Sequence, residues 1–408
     1  PYLDEDNRLP WQFEFSAQLH TPFALQNVRS PSHRLSVNYA KPRHAPQRGQ
    51  AQIQLVDART PRDIVLEWQT ASDHISGGLL VEPDTPKQPH KWRHFALLLQ
   101  PPRLEPQSEI LPREYLFVVD VSGSMFGFPL EVGKQLLLDL LHSLTPRDHF
   151  NLLLFENSNE LLAPRSLPAT PPNIAAALSS LEQRSGGGGT QLRQALERAY
   201  ALPPIDGSAR VVVVVSDGLV AAETKIFRLL ERRQSQATLF AFGVGSAVNR
   251  YLIEGLARFG QGTPHIVLPA VHQRTRLSAL QSARRFRNQI RSPILRDIRL
   301  RWPRTVQVRD QHPHRVPLLF AGRPLIISGR FRGQWRGTLE LSGQTTGGKF
   351  RQRIPISALS LSERHGLLAQ LWARTRLAAL CDRYHISGSE RTRRQIVQLG
   401  KQHRLLTP

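Results

Sequence analysis

The sequence predicts an α/β fold in which a doubly wound, mainly parallel sheet is inserted into a β-sandwich built from both flanks. Between about residues 113 and 272, short apolar runs alternate with helical patterns, as in a parallel sheet covered by helices. Shorter β-like runs, separated by segments containing Pro and Gly, lie on both sides of this region. A helical segment ends the chain.

The central region begins with a continuous apolar run at residues 115–119, which is typical of a strand buried on both faces. The spacing of the apolar residues that follow predicts helices and further strands in alternation. Predicted helices cover residues 130–141, 174–181, 192–200, 224–233 and 249–259. Predicted strands cover residues 150–155, 211–215 and 238–244.

The flanking regions both have β patterns, so we expect them to share one sandwich. The predicted strands before the central region are residues 11–15, 53–56, 64–68 and 95–99. After it come a basic helix at 277–290, strands at 298–302, 325–327, 338–341 and 350–356, and helices at 361–381 and 391–399. We therefore predict four regions: the N-terminal portion of the sandwich (1–112), the α/β domain (113–272), a linking helix with the C-terminal portion of the sandwich (273–360), and the helical segment (361–408).

The composition limits the class of protein. A chain of 408 residues is long enough for two or three domains, and 40% hydrophobic residues is typical of a soluble globular protein. The single cysteine, Cys381, excludes an internal disulfide framework and a cysteine-based zinc site. We interpret the chain as a piece of a longer polypeptide and expect an extracytoplasmic location, in the periplasm or at a bacterial cell surface. The anchoring segments would then lie outside the chain.

The net charge of +22 comes from the last third of the chain. Basic and acidic residues number 12 and 12 in residues 1–112, 14 and 14 in 113–270, but 28 and 6 in 271–408. Such a segment attracts anionic partners, although arginines on a solvated surface explain the same numbers. The clusters that would bind an acidic polysaccharide, an anionic surface or a nucleic acid are Arg284, Arg285 and Arg287, and Arg391, Arg393 and Arg394. Nucleic acid is the weaker alternative, because no nucleic-acid-binding module is recognisable.

Oxygen-bearing side chains follow the ends of the predicted parallel strands. Asp120, Ser122 and Ser124 come directly after the strand at 115–119, Thr190 follows four glycines, and Asp217 follows the strand at 211–215. Because ligands bind at the carboxyl ends of parallel strands, we expect these loops to converge. Two carboxylates and three hydroxyls suit a hard cation, Mg²⁺ or Mn²⁺, with Ca²⁺ as an alternative.

The charge of this set favours a binding role. Two carboxylates at most neutralise a divalent cation, and neutral hydroxyls leave it electrophilic. An open coordination position would therefore accept an acidic oxygen from outside, such as an Asp or Glu of a protein partner.

These five residues resemble the metal-ion-dependent adhesion site of von Willebrand factor type A (VWA) domains, with the motif Asp-x-Ser-x-Ser at 120–124. The resemblance implies direct metal coordination by the two serines and Thr190, and coordination by the aspartates directly or through water. Residues 146–151 and 243–252 resemble the inter-alpha-trypsin inhibitor heavy-chain type of VWA domain, and residues 30–33, 319–325 and 405–408 resemble its flanks. The bacterial branch, which includes sortase-target-like envelope proteins, fits best.

We do not expect an enzyme. The chain has no His-Glu-x-x-His, Gly-x-Ser-x-Gly or phosphate-loop motif. The carboxylates of the predicted site would be occupied by metal. A purely scaffolding role would leave no use for five intact ligand positions, so we predict a metal-dependent adhesion module.

Overall fold

The structure is a computed structural model that describes residues 13–40, 49–56, 63–70, 74–82, 92–102, 110–218, 220, 223–268, 275–355, 359–360 and 366–407. Parts of three predicted elements fall outside the described residues: residues 361–365 of the predicted helix at 361–381, and residues 11, 12 and 356 of the predicted strands at 11–15 and 350–356.

The N-terminal flank consists of strands in three groups. The strands are β1 (Ser16–Thr21), β2 (Leu25–Arg29), β3 (Leu35–Ala40), β4 (Gly49–Leu55), β5 (Glu67–Thr70), β6 (Ser76–Val81) and β7 (Arg93–Gln100). β1, β4 and β3 form an antiparallel sheet, and β2 pairs with β5. Both groups contribute to one small core around Val28, Ala51 and Ile53. β6 and β7 belong instead to a sheet completed by the other flank.

The central region is an α/β domain with a seven-stranded sheet. Its strands are β8 (Arg113–Asp120), β9 (His149–Phe155), β10 (Asn159–Leu161), β11 (Leu167–Pro168), β12 (Ala209–Ser216), β13 (Thr238–Val244) and β14 (Gln261–Val267). Its helices are α1 (Phe128–Leu141), α2 (Pro171–Glu182), α3 (Leu192–Ala201), α4 (Glu223–Arg233), α5 (Arg250–Phe259) and α6 (Thr275–Ile290). The strand order is β10-β9-β8-β12-β13-β14. Within it, β9, β8, β12, β13 and β14 are parallel to one another.

Helices cover both faces of this sheet. Side chains of β8 alternate between the faces: Tyr115, Phe117 and Val119 pack with α1, α2 and α6, whereas Leu116 and Val118 pack with α3, α4 and α5. All eight residues of β8 are buried, as the continuous apolar run predicts. The doubly wound parallel sheet is confirmed.

The C-terminal flank completes a β-sandwich. Its strands are β15 (Pro293–Arg301), β16 (Val306–His312), β17 (Leu319–Phe320), β18 (Leu325–Gly333), β19 (Thr338–Thr345), β20 (Gly348–Pro355) and β21 (Leu359–Ser360). One sheet has the order β17-β15-β19-β20 and the other β16-β18-β7-β6-β21. β7 pairs antiparallel with β18 along most of its length, with Leu97 opposite Ile327. The insertion of the α/β domain into a sandwich built from both flanks is therefore confirmed. The N-terminal flank contributes β6 and β7 to it, whereas the predicted strands at 53–56 and 64–68 belong to the separate groups of β4 and β5.

The chain ends in a helical hairpin of α7 (Leu367–Ser387) and α8 (Glu390–His403). Gly388 joins them in the left-handed conformation, which glycine adopts without strain. The indole Nε1 of Trp372 donates to the Asp310 carbonyl over 3.1 Å, which fixes α7 to the sandwich. Arg258 of α5 pairs with Asp382 of α7, with 2.7 Å between Nε and Oδ2. No helix in the described residues is long and apolar enough to cross a membrane.

Two predicted strands in the N-terminal flank are misplaced. Residues 13–15 lie before β1, and only Glu67 and Trp68 of the predicted strand at 64–68 belong to β5. The pairing of β1 with β4 ends near this point, where Leu55 N–H donates to the Phe15 carbonyl over 3.2 Å, and the pairing of β2 with β5 ends at Glu67. Local alternation continues where no partner is available, so it overestimates the strand.

Candidate metal site

The candidate site lies at the carboxyl ends of two neighbouring parallel strands. Asp120 is the last residue of β8 and Ser216 the last of β12, and the two strands pair with Val119 opposite Val215. Asp217 follows Ser216 directly. Asp120 is completely buried, and Asp217 is 4% exposed. The register of the two strands thus places both carboxylates at one edge of the sheet.

Hydrogen bonds fix the Asp120 carboxylate on both oxygens. The backbone N–H of Ser122 donates to Oδ1 over 3.0 Å, and the hydroxyl of Ser216 donates to Oδ2 over 2.6 Å. The Ser122 and Ser124 hydroxyl oxygens lie 3.3 Å apart, close enough for both to contact one small cation. Ser122 is buried, whereas Ser124 is exposed to solvent.

The glycine loop before Thr190 is bound to the Asp-x-Ser-x-Ser loop through the backbone. Gly187 N–H donates to the Val121 carbonyl over 3.0 Å, and Gly123 N–H donates to the Gly188 carbonyl over 3.2 Å. Gly188 has a φ of +72°, and a Cβ there would lie 2.8 Å from the side-chain nitrogen of Asn157. The left-handed backbone therefore favours glycine at this position, and a larger residue would also have to displace the Asn157 side chain. Thr190 is half-buried at the end of this loop.

The environment of Asp120 is electrostatically unfavourable for a lone carboxylate. Burial raises the pKa of Asp120, hydrogen bonds from Ser122 and Ser216 lower it, and the negative charge of Asp217 raises it again; the net change is upward. The site thus has two acidic groups in a buried setting, Asp120 and Asp217.

The donor set fits a hard divalent cation. All candidate ligands are carboxylate or hydroxyl oxygens, which Mg²⁺, Mn²⁺ and Ca²⁺ prefer. The described residues contain no group of three His, Cys, Asp or Glu side chains that could hold a metal. A metal at this edge of the sheet would therefore depend on Ser122, Ser124 and Thr190 as well as on the two aspartates.

Three residues near the site were not predicted from the sequence. Ser216 orients Asp120, and Asn157 accepts a hydrogen bond from Gly189 N–H over 2.7 Å. Phe126 packs against Gly186 and is 71% exposed, which is unusual for a large apolar side chain. Ser216 could have been found from the strand register, because it stands beside Asp120. Asn157 and Phe126 depend on loop conformations that have no sequence signature.

The two arginine clusters are far apart in the fold. Arg284 and Arg285 are exposed and Arg287 is half-buried on α6, whose Phe286 packs on the face of the sheet shared with α1. The second cluster is exposed on α8 and consists of Arg391, Arg393 and Arg394. Helix α8 packs on α7, and α7 contacts α4, which covers the opposite face of the sheet. Arg393 already pairs with Glu390, with 2.8 Å between Nη2 and Oε1. The structure does not combine the clusters into one basic surface.

Comparison with known proteins agrees with this architecture. The profile of the von Willebrand factor type A domain matches residues 113–266. Inter-alpha-trypsin inhibitor heavy chain H2 from Sus scrofa is 23% identical over 346 residues, covering 77% of this chain and 35% of that protein. Heavy chain H4 from Homo sapiens is 25% identical over 327 residues, covering 73% and 34%. The chain spans about a third of the length of these relatives.

A solved structure supports the fold. A von Willebrand factor type A protein from Catenulispora acidiphila superposes with a TM-score of 0.54 at 13% identity, covering 82% of this chain and 88% of that one. At this identity the likeness concerns the fold alone. Assignment to a bacterial branch stays a prediction. Residues 113–266 therefore match the von Willebrand factor type A domain, and the chain is similar, at low identity, to the inter-alpha-trypsin inhibitor heavy chains.

Proposed function

We propose that this protein is a metal-dependent binding module that takes an acidic side chain of a protein partner. Asp120, Ser122, Ser124, Thr190 and Asp217 would hold a divalent cation, Mg²⁺ in the first place. When bound, the cation would supply an electrophilic coordination position open to a carboxylate oxygen. VWA domains commonly serve as protein-interaction modules, which supports this role over a catalytic one.

One observation carries the proposal: Asp120 and Asp217 are both buried at the same edge of the sheet, and the negative charge of Asp217 raises the pKa of Asp120. Burying two like charges next to each other is costly, and a divalent cation between them would offset that cost. The Ser122 and Ser124 hydroxyls beside Asp120 favour a metal, because they add neutral oxygen donors rather than positive charge.

The surface around the site suits a protein partner. Ser124 is exposed, so a ligand can reach the site from solvent, and the exposed ring of Phe126 lies next to the same loops. An acidic side chain beside apolar contact area would match this combination. The partner's carboxylate would provide selectivity, and Phe126 would add apolar contact.

Direct titration tests the metal. We expect Mg²⁺ and Mn²⁺ to bind in isothermal titration calorimetry and to raise the melting temperature, since a ligand of the native state stabilises it. Asp120→Asn keeps the shape of the side chain but removes its charge and should abolish both effects. Asp206→Asn, an exposed aspartate at the other end of the domain, is the matched control. Metal binding that survives Asp120→Asn unchanged would contradict the proposal.

Pull-down from envelope extracts tests the partner. Capture should require Mg²⁺ and be lost with EDTA, while a change of salt concentration should have little effect. We also propose an extracytoplasmic location for the protein, and envelope extracts are used because they would then contain the partner. Capture that persists in EDTA would exclude the metal as the bridge.

Polyanion binding through residues 271–408 is a second candidate. The exposure of Arg284, Arg285, Arg391 and Arg394 favours it. Binding of an acidic polysaccharide would weaken steeply with salt and be insensitive to EDTA, which is the opposite of the pattern expected for the metal site.

A further inference from the structure

A cavity of about 1060 Å³ lies between the α/β domain and the sandwich. The segment before β12, the residues after α4, β15, the end of β16 and the loop that follows it contribute to its walls. We call this cavity the interdomain cleft. None of the five candidate metal ligands lines it. It lies at the end where β12 begins, so the length of a strand, roughly 20–25 Å, separates it from Asp120.

The cleft is lined by more cationic than anionic side chains. Five arginines and two aspartates contribute to its walls. Two of the arginines have an acidic partner: Arg210 pairs with the buried Glu114 over 2.9 Å, and Arg296 contacts Asp297 over 2.5 Å. These two are therefore already neutralised, and the other three arginines exceed the one remaining aspartate, Asp206.

Arg233, Arg299 and Arg315 form no ion pair with an acidic residue among the described residues. Arg233 ends α4, on the side of the α/β domain, whereas Arg299 lies in β15 and Arg315 in the loop between β16 and β17. Arg299 and Arg315 are exposed, and Arg233 is half-buried with a 3.3 Å hydrogen bond to Gln236. An anionic ligand in the cleft would therefore contact both domains.

Two non-glycine residues in the walls have a left-handed backbone. Asp297 has a φ of +54° where the pairing of β15 with β19 is irregular, and Gln261 has a φ of +60°. Gln261 Nε2 donates to the Arg315 carbonyl over 3.1 Å, which bridges the two domains. Such conformations are costly and concentrate at binding sites, and bulges redirect neighbouring side chains. The irregularity at Asp297 stands directly before Ile298 and Arg299.

Apolar side chains complete the walls. Pro203, Pro204 and Ile205 lie on the α/β side, and residues 316–318 lie on the sandwich side. A ligand that carries only charge would leave this area unused. The combination of arginines and apolar side chains in the walls fits an extended peptide that carries both acidic and apolar side chains.

We propose that the interdomain cleft binds an acidic peptide segment that also carries apolar side chains, through Arg233, Arg299 and Arg315 and without any metal. This would be a second binding site, independent of the one at Asp120. Its recognition chemistry is the pairing of guanidinium groups with carboxylates.

A labelled peptide of alternating Glu and Leu residues tests the proposal by fluorescence anisotropy on the whole chain. The peptide should bind in EDTA as well as in Mg²⁺, and more weakly as ionic strength rises. The double variant Arg299→Glu/Arg315→Glu should weaken binding by about tenfold or more. Arg304→Glu is the matched control, because Arg304 is an exposed arginine of the same sandwich that lies outside the cleft.

Three outcomes would overturn the proposal. The first is that the peptide does not bind the unaltered chain, and the second is that Arg304→Glu weakens binding as much as the double variant does. The third is that EDTA abolishes binding, which would assign the peptide to the metal site. In the first of these cases, a sulfated polysaccharide that binds through Arg299 and Arg315 would identify the ligand class that the cleft takes instead. Equal melting temperatures of the variants would show that the fold is intact.

Discussion

The hydroxyl of Ser216 donates a 2.6 Å hydrogen bond to Oδ2 of Asp120, and this bond joins the ends of two neighbouring parallel strands. Ser216 also accepts from Gly218 N–H over 2.9 Å, so its hydroxyl proton is directed at the carboxylate. The buried carboxylate is therefore held in one orientation, with Ser122 N–H on its other oxygen. Ser216 would act on a metal through Asp120 rather than by direct coordination.

Ser216→Ala should weaken Mg²⁺ and Mn²⁺ binding by about 10- to 100-fold, the usual effect of removing a residue that orients a metal ligand. The measurement is calorimetric titration. Ser179→Ala, an exposed serine of α2, is the matched control and should bind as the unaltered chain does. Equal affinity in both variants would show that the orientation of Asp120 does not depend on Ser216.

Gly188→Ala should displace the glycine loop and reduce metal affinity. The left-handed φ of +72° disfavours any side chain, and the new Cβ would lie 2.8 Å from Asn157. Gly187→Ala is the matched control, because a Cβ at Gly187 meets nothing within 4 Å. We expect Gly188→Ala to lower the free energy of unfolding by about 1–3 kcal/mol and to weaken Mn²⁺ binding, and Gly187→Ala to do neither. Titration and urea unfolding measure the two effects.

Much of the α/β domain could be predicted because its elements are specified locally. The apolar run of β8 and the helical spacing of α1 both lie within one stretch of chain, and the structure places them as expected. β14 and β16 were missed. β14 contains Gly262 and Pro264, and β16 has only Val306 and Val308 as apolar residues. These strands exist because β13 and β18 offer an edge to pair with, and a single stretch of sequence does not show that edge.

In the candidate site, too, the features specified locally could be predicted and those that depend on distant parts of the chain could not. Asp120 and Asp217 could be placed from the strand ends alone. The bonds from Gly187 to Val121 and from Gly123 to Gly188 depend on the path of a loop, so the sequence alone does not predict them. The interdomain cleft was missed for a related reason: Arg233, Arg299 and Arg315 are far apart in the sequence, and only the docking of the two domains brings them to one cavity.

Asp148 should make stability depend on acidic pH. Its carboxylate is buried, pairs with Arg113 and accepts from Thr145 N–H over 2.7 Å and Thr145 Oγ1 over 2.8 Å. Although burial opposes ionisation, these partners hold the pKa of Asp148 below its usual value. The folded state therefore binds this proton less readily than the unfolded state. The stabilisation is complete above the unfolded pKa of about 4 and is lost as pH falls through the lower, folded pKa.

Asp148→Asn should lower the free energy of unfolding at neutral pH by about 3–5 kcal/mol, because it leaves Arg113 buried without its counter-charge. Its unfolding free energy should also change less between neutral pH and pH values below about 4 than that of the unaltered chain. Urea unfolding across this range measures both, with the exposed Asp206→Asn as control. The same acid sensitivity in Asp148→Asn and the unaltered chain would assign the effect to other carboxyls.

Phe126 should contribute to partner binding without affecting the metal. Its ring is 71% exposed beside the metal-site loops, so folding buries little of it and a partner can bury the rest. Burying an aromatic ring contributes about 1.5–3 kcal/mol, so Phe126→Ala should reduce Mg²⁺-dependent capture from envelope extracts by about tenfold or more. Mg²⁺ titration of the same variant should be unchanged, because Phe126 supplies no ligand atom. Tyr251→Ala, which removes another exposed aromatic ring of the same domain from α5, controls for general surface effects. Capture at the unaltered level by Phe126→Ala would show that the partner approaches the metal from another side.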